Sequence, residues 1–167
     1  MDASALRELQ DPLKARYRED PDAALVTLTA DGELDATGVA CRVRTATALA
    51  EAGLHPATGG DGTQLCSGDM LLEALVACAG VTLRAVATSL GLAVAGSVHA
   101  EGDLDFRGTL GVDKQAPVGF REIRLTFDLD TGASEEEVAT LVRLTERYCV
   151  VLQTLKSAPE TSVSVRA

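Results

Sequence analysis

Two cysteines lie inside strongly apolar helical stretches. Cys78 stands in Leu71-Leu72-Glu73-Ala74-Leu75-Val76-Ala77-Cys78, and Cys149 in Glu146-Arg147-Tyr148-Cys149-Val150-Val151-Leu152. No other nucleophile in the chain has so distinctive a setting. A thiolate attacks peroxidic oxygen and becomes a sulfenic acid. A second thiol within reach condenses with that acid to a disulfide and spares the first from over-oxidation. If the fold brings the two helices together, Cys78 and Cys149 fit these two roles. Taken on spacing alone, a pair of small core hydrophobes is an equal alternative, because cysteine often packs that way.

Cys78 is mid-helix, so its own helix N-terminus lends it little. Lowering its pKa then calls for a cation, and a carboxylate is useful to hold that cation. Asp69 and Glu73, upstream on the same helix and four residues apart, are the candidate holders. Cys41 reads as a small apolar residue on a strand face. Cys66 lies in a glycine-rich loop, where a third redox thiol is a minor alternative. There is no C-x-x-C among the four cysteines and the chain has only two histidines, His55 and His99, so a metal site is not expected.

The positioning elements follow from periodicity. Residues 3–18 read as a charged helix ended by Asp20-Pro21. Residues 24–30 alternate as a half-buried strand, Asp31-Gly32 is a hairpin signal, and residues 36–47 read as the returning strand. Residues 53–68 form a loop rich in glycine, of a length that is commonly functional. Residues 69–90 make a long helix, apolar nearly all round, stopped by Gly91. Strands over 93–106 and 120–130 follow, joined by a Gly- and Pro-containing loop. Ser134-Glu135-Glu136-Glu137 is a capping box, and the helix behind it sets Val138, Leu141, Val142, Thr145, Tyr148, Cys149 and Leu152 on one stripe. Thr161, Val163 and Val165 alternate as a final strand. The order is α+β.

At 167 residues, the chain reads as a single domain, with residues 1–20 an N-terminal helical extension. Its formal charge of -10 argues against binding a phosphate backbone, so no nucleic acid partner is expected. No signal peptide is recognised at Met1-Asp2-Ala3-Ser4, and the apolar run from Met70 to Val81 is interrupted by Glu73 and too short for a span. The expectation is a cytoplasmic protein without a membrane partner, where a disulfide is transient rather than structural. With 3% aromatics and no Trp, the core must be Leu, Val and Ala. A helix buried on every side is hard to cover with one sheet. A second copy would cover it, which predicts an intertwined homodimer with the apolar helices at its centre.

The run Gly59-Gly60-Asp61-Gly62 through Cys66-Ser67-Gly68-Asp69-Met70-Leu71-Leu72-Glu73-Ala74-Leu75-Val76-Ala77-Cys78-Ala79-Gly80-Val81-Thr82-Leu83 resembles the P-x-E-L-L-x-A-A-L-x-x-C-x-x-x-T-L signature of the OsmC/Ohr family. Arg147-Tyr148-Cys149-Val150-Val151 resembles its second-cysteine motif, usually Cys-Pro. The likeness covers most of residues 24–166. It implies an intertwined α+β homodimer, antiparallel sheets around long central helices, and active sites at the dimer interface. It also implies that Cys78 attacks the peroxide, that Cys149 resolves, and that Asp69 orients an activating arginine. Ser67 and Val150 depart from motif prolines, and Asp69 is shorter than the usual Glu. Glu73 is an added acid, taken as part of the site because its neighbours are so apolar. The arginine is Arg18, Arg42 or Arg44.

These readings combine into a thiol peroxidase of oxidative-stress defence. It takes organic or hydrogen peroxide, is reset by an external dithiol, and uses neither metal nor cofactor. The apolar setting of Cys78 favours organic peroxides. The alternatives are an OsmC-like module that binds an apolar ligand, or a dimerisation module, with the cysteines as packing.

Overall fold

The element that carries Cys78 is α2, Ser67–Leu90, close to the expected bounds. Gly91 ends it at φ +70, a left-handed conformation that glycine adopts without a Cβ penalty. The computed structural model describes residues 2–25, 27, 31–34, 40–44 and 49–166; of strands 31–34 and 40–44 only the backbone is described.

The chain begins with α1, Ala3–Glu19, followed by a 3-10 turn over Pro21–Ala24. A four-stranded sheet has the order β1 (Asp31–Leu34), β2 (Ala40–Arg44), β3 (Leu49–Gly53), β4 (Leu65–Cys66). The first three run antiparallel, with Gly32 opposite Val43 and Cys41 opposite Ala52; β3 and β4 are parallel. Asp31-Gly32 is therefore in a strand and not at a turn, which corrects the expected hairpin position. Residues 35–39 lie outside the described residues, as does most of the strand expected over 24–30. After α2 come β5 (Val94–Asp103), a single helical turn α3 (Phe106–Thr109) and β6 (Glu122–Thr131), with β5 and β6 paired.

Helix α4, Glu135–Tyr148, starts at the expected capping box: the Ser134 hydroxyl accepts from Glu137 N–H, and the Glu137 carboxylate accepts from Ser134 N–H at 2.8 Å. Hydrogen bonding to the ionised form holds the Glu137 carboxyl below its ordinary range. The helix ends at Cys149, and a short helix α5, Val150–Lys156, restarts from it. This corrects the expectation of one helix running through Cys149. The final strand over 161–165 is also not formed in the single chain; Val163 is 95% and Val165 87% exposed.

Two compact units can be distinguished. One comprises Met1–Leu6, Ala74–His99 and Thr126–Ala167; the other comprises Arg7–Glu73 and Ala100–Leu125. The first holds a core of Leu83, Ala87, Val94 and Leu141, joined by Val86, Leu92, Phe127 and Leu129. Burying a side chain such as Leu141 contributes about 1.5–3 kcal/mol. On α2, Leu75, Ala79, Leu83 and Ala87 are buried at a spacing of four, so one stripe faces the core. Elsewhere on the helix Leu71 and Val81 are exposed, Val81 at 72%. The expected all-round burial is absent from a single copy.

Candidate active site

Both sulfurs lie in one unit. Cys78 is half-buried on α2, six residues before Arg84 and four before Thr82. Cys149 is fully buried at the junction of α4 and α5. Its backbone (φ -72, ψ 105) is extended, so α4 cannot continue through it. Cys149 N–H still donates to the Thr145 carbonyl at 2.9 Å, closing α4, while the Cys149 carbonyl accepts from Gln153 N–H at 2.9 Å, opening α5. The buried Thr145 hydroxyl is satisfied by the Leu141 carbonyl at 2.8 Å.

The first N–H groups of α5 act on the ionisation of the Cys78 thiol. Burial pushes that thiol up, but the N–H of Val151, the thiol of Cys149, the N–H of Val150 and the Thr82 hydroxyl all donate to the thiolate, and the net shift is downward. Cys149 goes the other way. Burial pushes it up, and its proton is the one shared with Cys78; the N–H groups of Leu152 and Val151 only partly offset this. The two thiols are thus shifted in opposite directions, Cys78 downward and Cys149 upward. Both are reduced in the structure.

The cation expected from sequence is not among the groups that lower the Cys78 pKa. Backbone and side-chain donors do that work, and they were not visible in the sequence because the break at Cys149 was not. Arg18 is exposed near the end of α1, and the Arg42 and Arg44 side chains lie outside the described residues. Asp69 and Glu73 are exposed on α2, and among the described residues neither makes an ion pair or hydrogen bond. Along an α-helix, nine residues give about 13.5 Å of rise and a half-turn of rotation, so Asp69 projects from the face opposite its own Cys78. Glu73 is about 7.5 Å of rise away by the same geometry. Cys78 and Cys149 lie in one unit, and Asp69 and Glu73 in the other.

Each unit has a cleft that neither Cys78 nor Cys149 lines. In the first unit, Leu83, Val94, Val98 and Leu129 line an apolar cleft of about 590 Å³ that Arg84 borders, its guanidinium donating to the Val94 carbonyl. In the other unit, Leu54, Leu104, Phe106 and Phe120 line one of about 380 Å³ that also holds Cys66 and His55. His55 stacks on Phe106 with centroids 4.9 Å apart, and its Nδ1 accepts from Ala57 N–H at 3.0 Å. The glycine-rich loop thus shapes a cleft wall. No group of residues suited to a metal ion is found among the described residues.

A mixed helix–strand fold in which a long apolar helix presents one cysteine to a second cysteine at a helix break defines the class: a dithiol protein of α+β architecture. Residues 60–164 match the pattern of the OsmC-like protein family, and the chain belongs to that family. An OsmC-like protein from Mycoplasma pneumoniae superposes with a TM-score of 0.66 at 17% identity, over 80% of this chain and 89% of that one. An organic hydroperoxide resistance protein from Elizabethkingia anophelis gives 0.64 at 16% identity, over 81% and 91%. The organic hydroperoxide resistance protein OhrB of Bacillus subtilis gives 0.55 at 18% identity, over 81% and 94%. No curated protein matches the sequence. By length and composition α2 would suffice to cross a membrane, with a mean hydropathy of 1.8. Its buried stripe of Leu75, Ala79, Leu83 and Ala87 fits a core helix of the family fold.

Proposed function

We propose that the protein is a thiol-dependent hydroperoxide reductase that cycles Cys78 and Cys149 between dithiol and disulfide. The carrying observation is the asymmetry of the pair: neighbouring donors lower the pKa of Cys78, while burial raises that of Cys149. The Cys78 thiolate attacks one peroxide oxygen, the O–O bond breaks, and the leaving alkoxide takes a proton to depart as alcohol, or as water from hydrogen peroxide. The sulfenic acid on Cys78 then condenses with the Cys149 thiol, releasing water and forming the disulfide. An external dithiol returns two electrons and two protons by exchange. The thiol near Cys78 has only to change from donor to nucleophile, so the second step needs little movement.

The exposed apolar side of α2 supports a homodimer in which a second copy covers Leu71 and Val81. In that dimer Asp69 and Glu73 of one copy serve the sulfur pair of the other, with Asp69 orienting a guanidinium from Arg18, Arg42 or Arg44. The second copy completes an apolar peroxide pocket beside Cys78, and organic peroxides are preferred to hydrogen peroxide. The enzyme acts in the cytoplasm, in defence against oxidative stress, where thiol reductants are at hand. The test is steady-state peroxide consumption with a dithiol present. The native protein turns over many equivalents, and Cys78→Ser none; sustained turnover by Cys78→Ser would overturn the assignment.

A further inference from the structure

The bend at Cys149 is not written into residues 149 and 150. Valine is tolerated in a helix interior, and the apolar stripe runs on through Leu152, so local preference continues α4 through residue 149. A proline at 150 would forbid that, because it drives the residue before it out of the helical region. This chain has Val150 there, yet Cys149 is extended at φ -72 and ψ 105. We infer that Gln153 does this work: its side-chain amide holds the chain bent at Cys149, which makes it a positioning residue for the resolving thiol. The inference rests on the resolving role given to Cys149 above, and it deepens that role.

In a continuous helix the Glu146 carbonyl would accept from the N–H four residues on, at Val150. The extended Cys149 breaks that bond, and among the described residues no backbone N–H replaces it. The acceptor is taken instead by Gln153 Nε2, at 2.7 Å. Gln153 is itself tied to the bend, because its own N–H donates to the Cys149 carbonyl at 2.9 Å. One residue thus grips the chain on both sides of the bend. Lys156, three residues on, adds a second hold: its Nζ meets the Glu146 carboxylate at 2.8 Å. That ion pair is largely exposed on both sides and contributes little alone. Upstream, Cys149 N–H closes α4 on the Thr145 carbonyl at 2.9 Å. Residue 149 is therefore fixed through both its N–H and its carbonyl, and its buried side chain takes the direction that this backbone sets. Gln153 is exposed and fills no space in the core, so its amide is what it contributes.

Removing the amide opens no cavity, so Gln153→Ala folds and can be read directly. With the Glu146 carbonyl unmet, residue 149 relaxes toward the helical conformation that restores the bond from Val150. In the reduced full-length protein the NMR carbon shifts of Cys149 report this, moving from extended toward helical values. Under excess peroxide, the share of Cys78 that ends as sulfinic acid rather than disulfide reports the same loss at the chemical step, where the Cys78 sulfenic acid and the Cys149 thiol condense and release water. Losing one hydrogen bond lowers the peroxide concentration that gives equal shares by roughly 2- to 10-fold. Val150→Pro, added to Gln153→Ala, forces residue 149 back to the extended region and restores both readouts; a merely structural Gln153 would not be rescued in this way. Gln153→Lys keeps a donor of similar reach and stays native in both, whereas Gln153→Glu, whose carboxylate only accepts, follows Gln153→Ala. Native shifts and native shares in Gln153→Ala overturn the inference, as does a defect that a folded double variant leaves in place. Should the double variant not fold, Gln153→Lys and Gln153→Glu decide, and equal behaviour of the two overturns the inference. A native protein that forms no bridge between Cys78 and Cys149 would instead overturn the resolving role, and the carbon shifts would still decide whether Gln153 holds the bend.

Discussion

Replacing Cys149 separates the two chemical steps. Cys149 is fully buried, so Cys149→Ala trades a sulfur for a small void and deletes one donor to Cys78. A loss of that size in a core costs about 1 kcal/mol, or about 2–4 °C in melting temperature for a domain of this length. The protein stays folded, and chemistry can be read on it. Attack by Cys78 still occurs, but the sulfenic acid has no partner. In the absence of added thiol the first equivalent of peroxide per chain leaves Cys78 as the sulfenic acid. A sulfenic-acid trap labels Cys78, and further peroxide drives it to the irreversible sulfinic acid. The assay is a peroxide titration followed by mass spectrometry of the intact chain, reading additions of one and then two oxygens. Cys149→Ser leaves a hydroxyl donor beside Cys78 and reacts faster than Cys149→Ala at neutral pH. Were Cys149→Ala to form an intramolecular disulfide with the same efficiency as the native chain, Cys149 would not be the resolving thiol.

The remaining predictions concern order of reactivity, stability and assembly. A limiting amount of alkylating agent at pH 7 labels Cys78 ahead of Cys149, since the donors lower the first thiol while burial raises the second; peptide mapping showing the reverse order would contradict the assigned roles. Leu141→Ala costs about 2–5 kcal/mol by chemical denaturation, because its side chain is fully enclosed. Glu137→Gln is less stable than the native chain at neutral pH, and the gap closes as acid is added. A carboxyl lowered on folding stabilises above its unfolded pKa and loses that contribution as pH falls through the folded one, so a pH-independent gap would refute the capping role. Light scattering at micromolar concentration gives a dimer, and Val81→Glu, on the exposed side of α2, gives monomer or aggregate; a native monomer would refute the proposed partner copy.

The sequence made α2, α4 and the α+β order legible because each carries strong local signals. Gly91 at positive φ, the Ser134–Glu137 box and the long apolar run are decided within a few residues. The break at Cys149 had no such signal. Val150 is neither proline nor glycine, and the apolar stripe continues through Leu152, so periodicity read one helix where packing made two. With the break unseen, its N–H donors were unseen, and a cation was asked to do their work. Asp31-Gly32 has the right residues for a turn, yet pairing with Val43 and Arg44 puts both in β1. Partner strands across the sheet outrank local turn preference there. The valines at 163 and 165 alternate as a strand should, but no strand of their own chain is paired with them among the described residues. The two sulfurs lie 71 residues apart in the chain, and only tertiary contact could show which groups surround Cys78.

The most direct measurement is a disulfide map. The reduced protein receives one equivalent of an organic hydroperoxide per chain, remaining thiols are blocked, and the peptides are analysed without reduction. The proposed mechanism predicts a bridge between Cys78 and Cys149, with Cys41 and Cys66 still free and one alcohol released per bridge. Four free thiols with the peroxide unconsumed, or a bridge that omits Cys78, would contradict it.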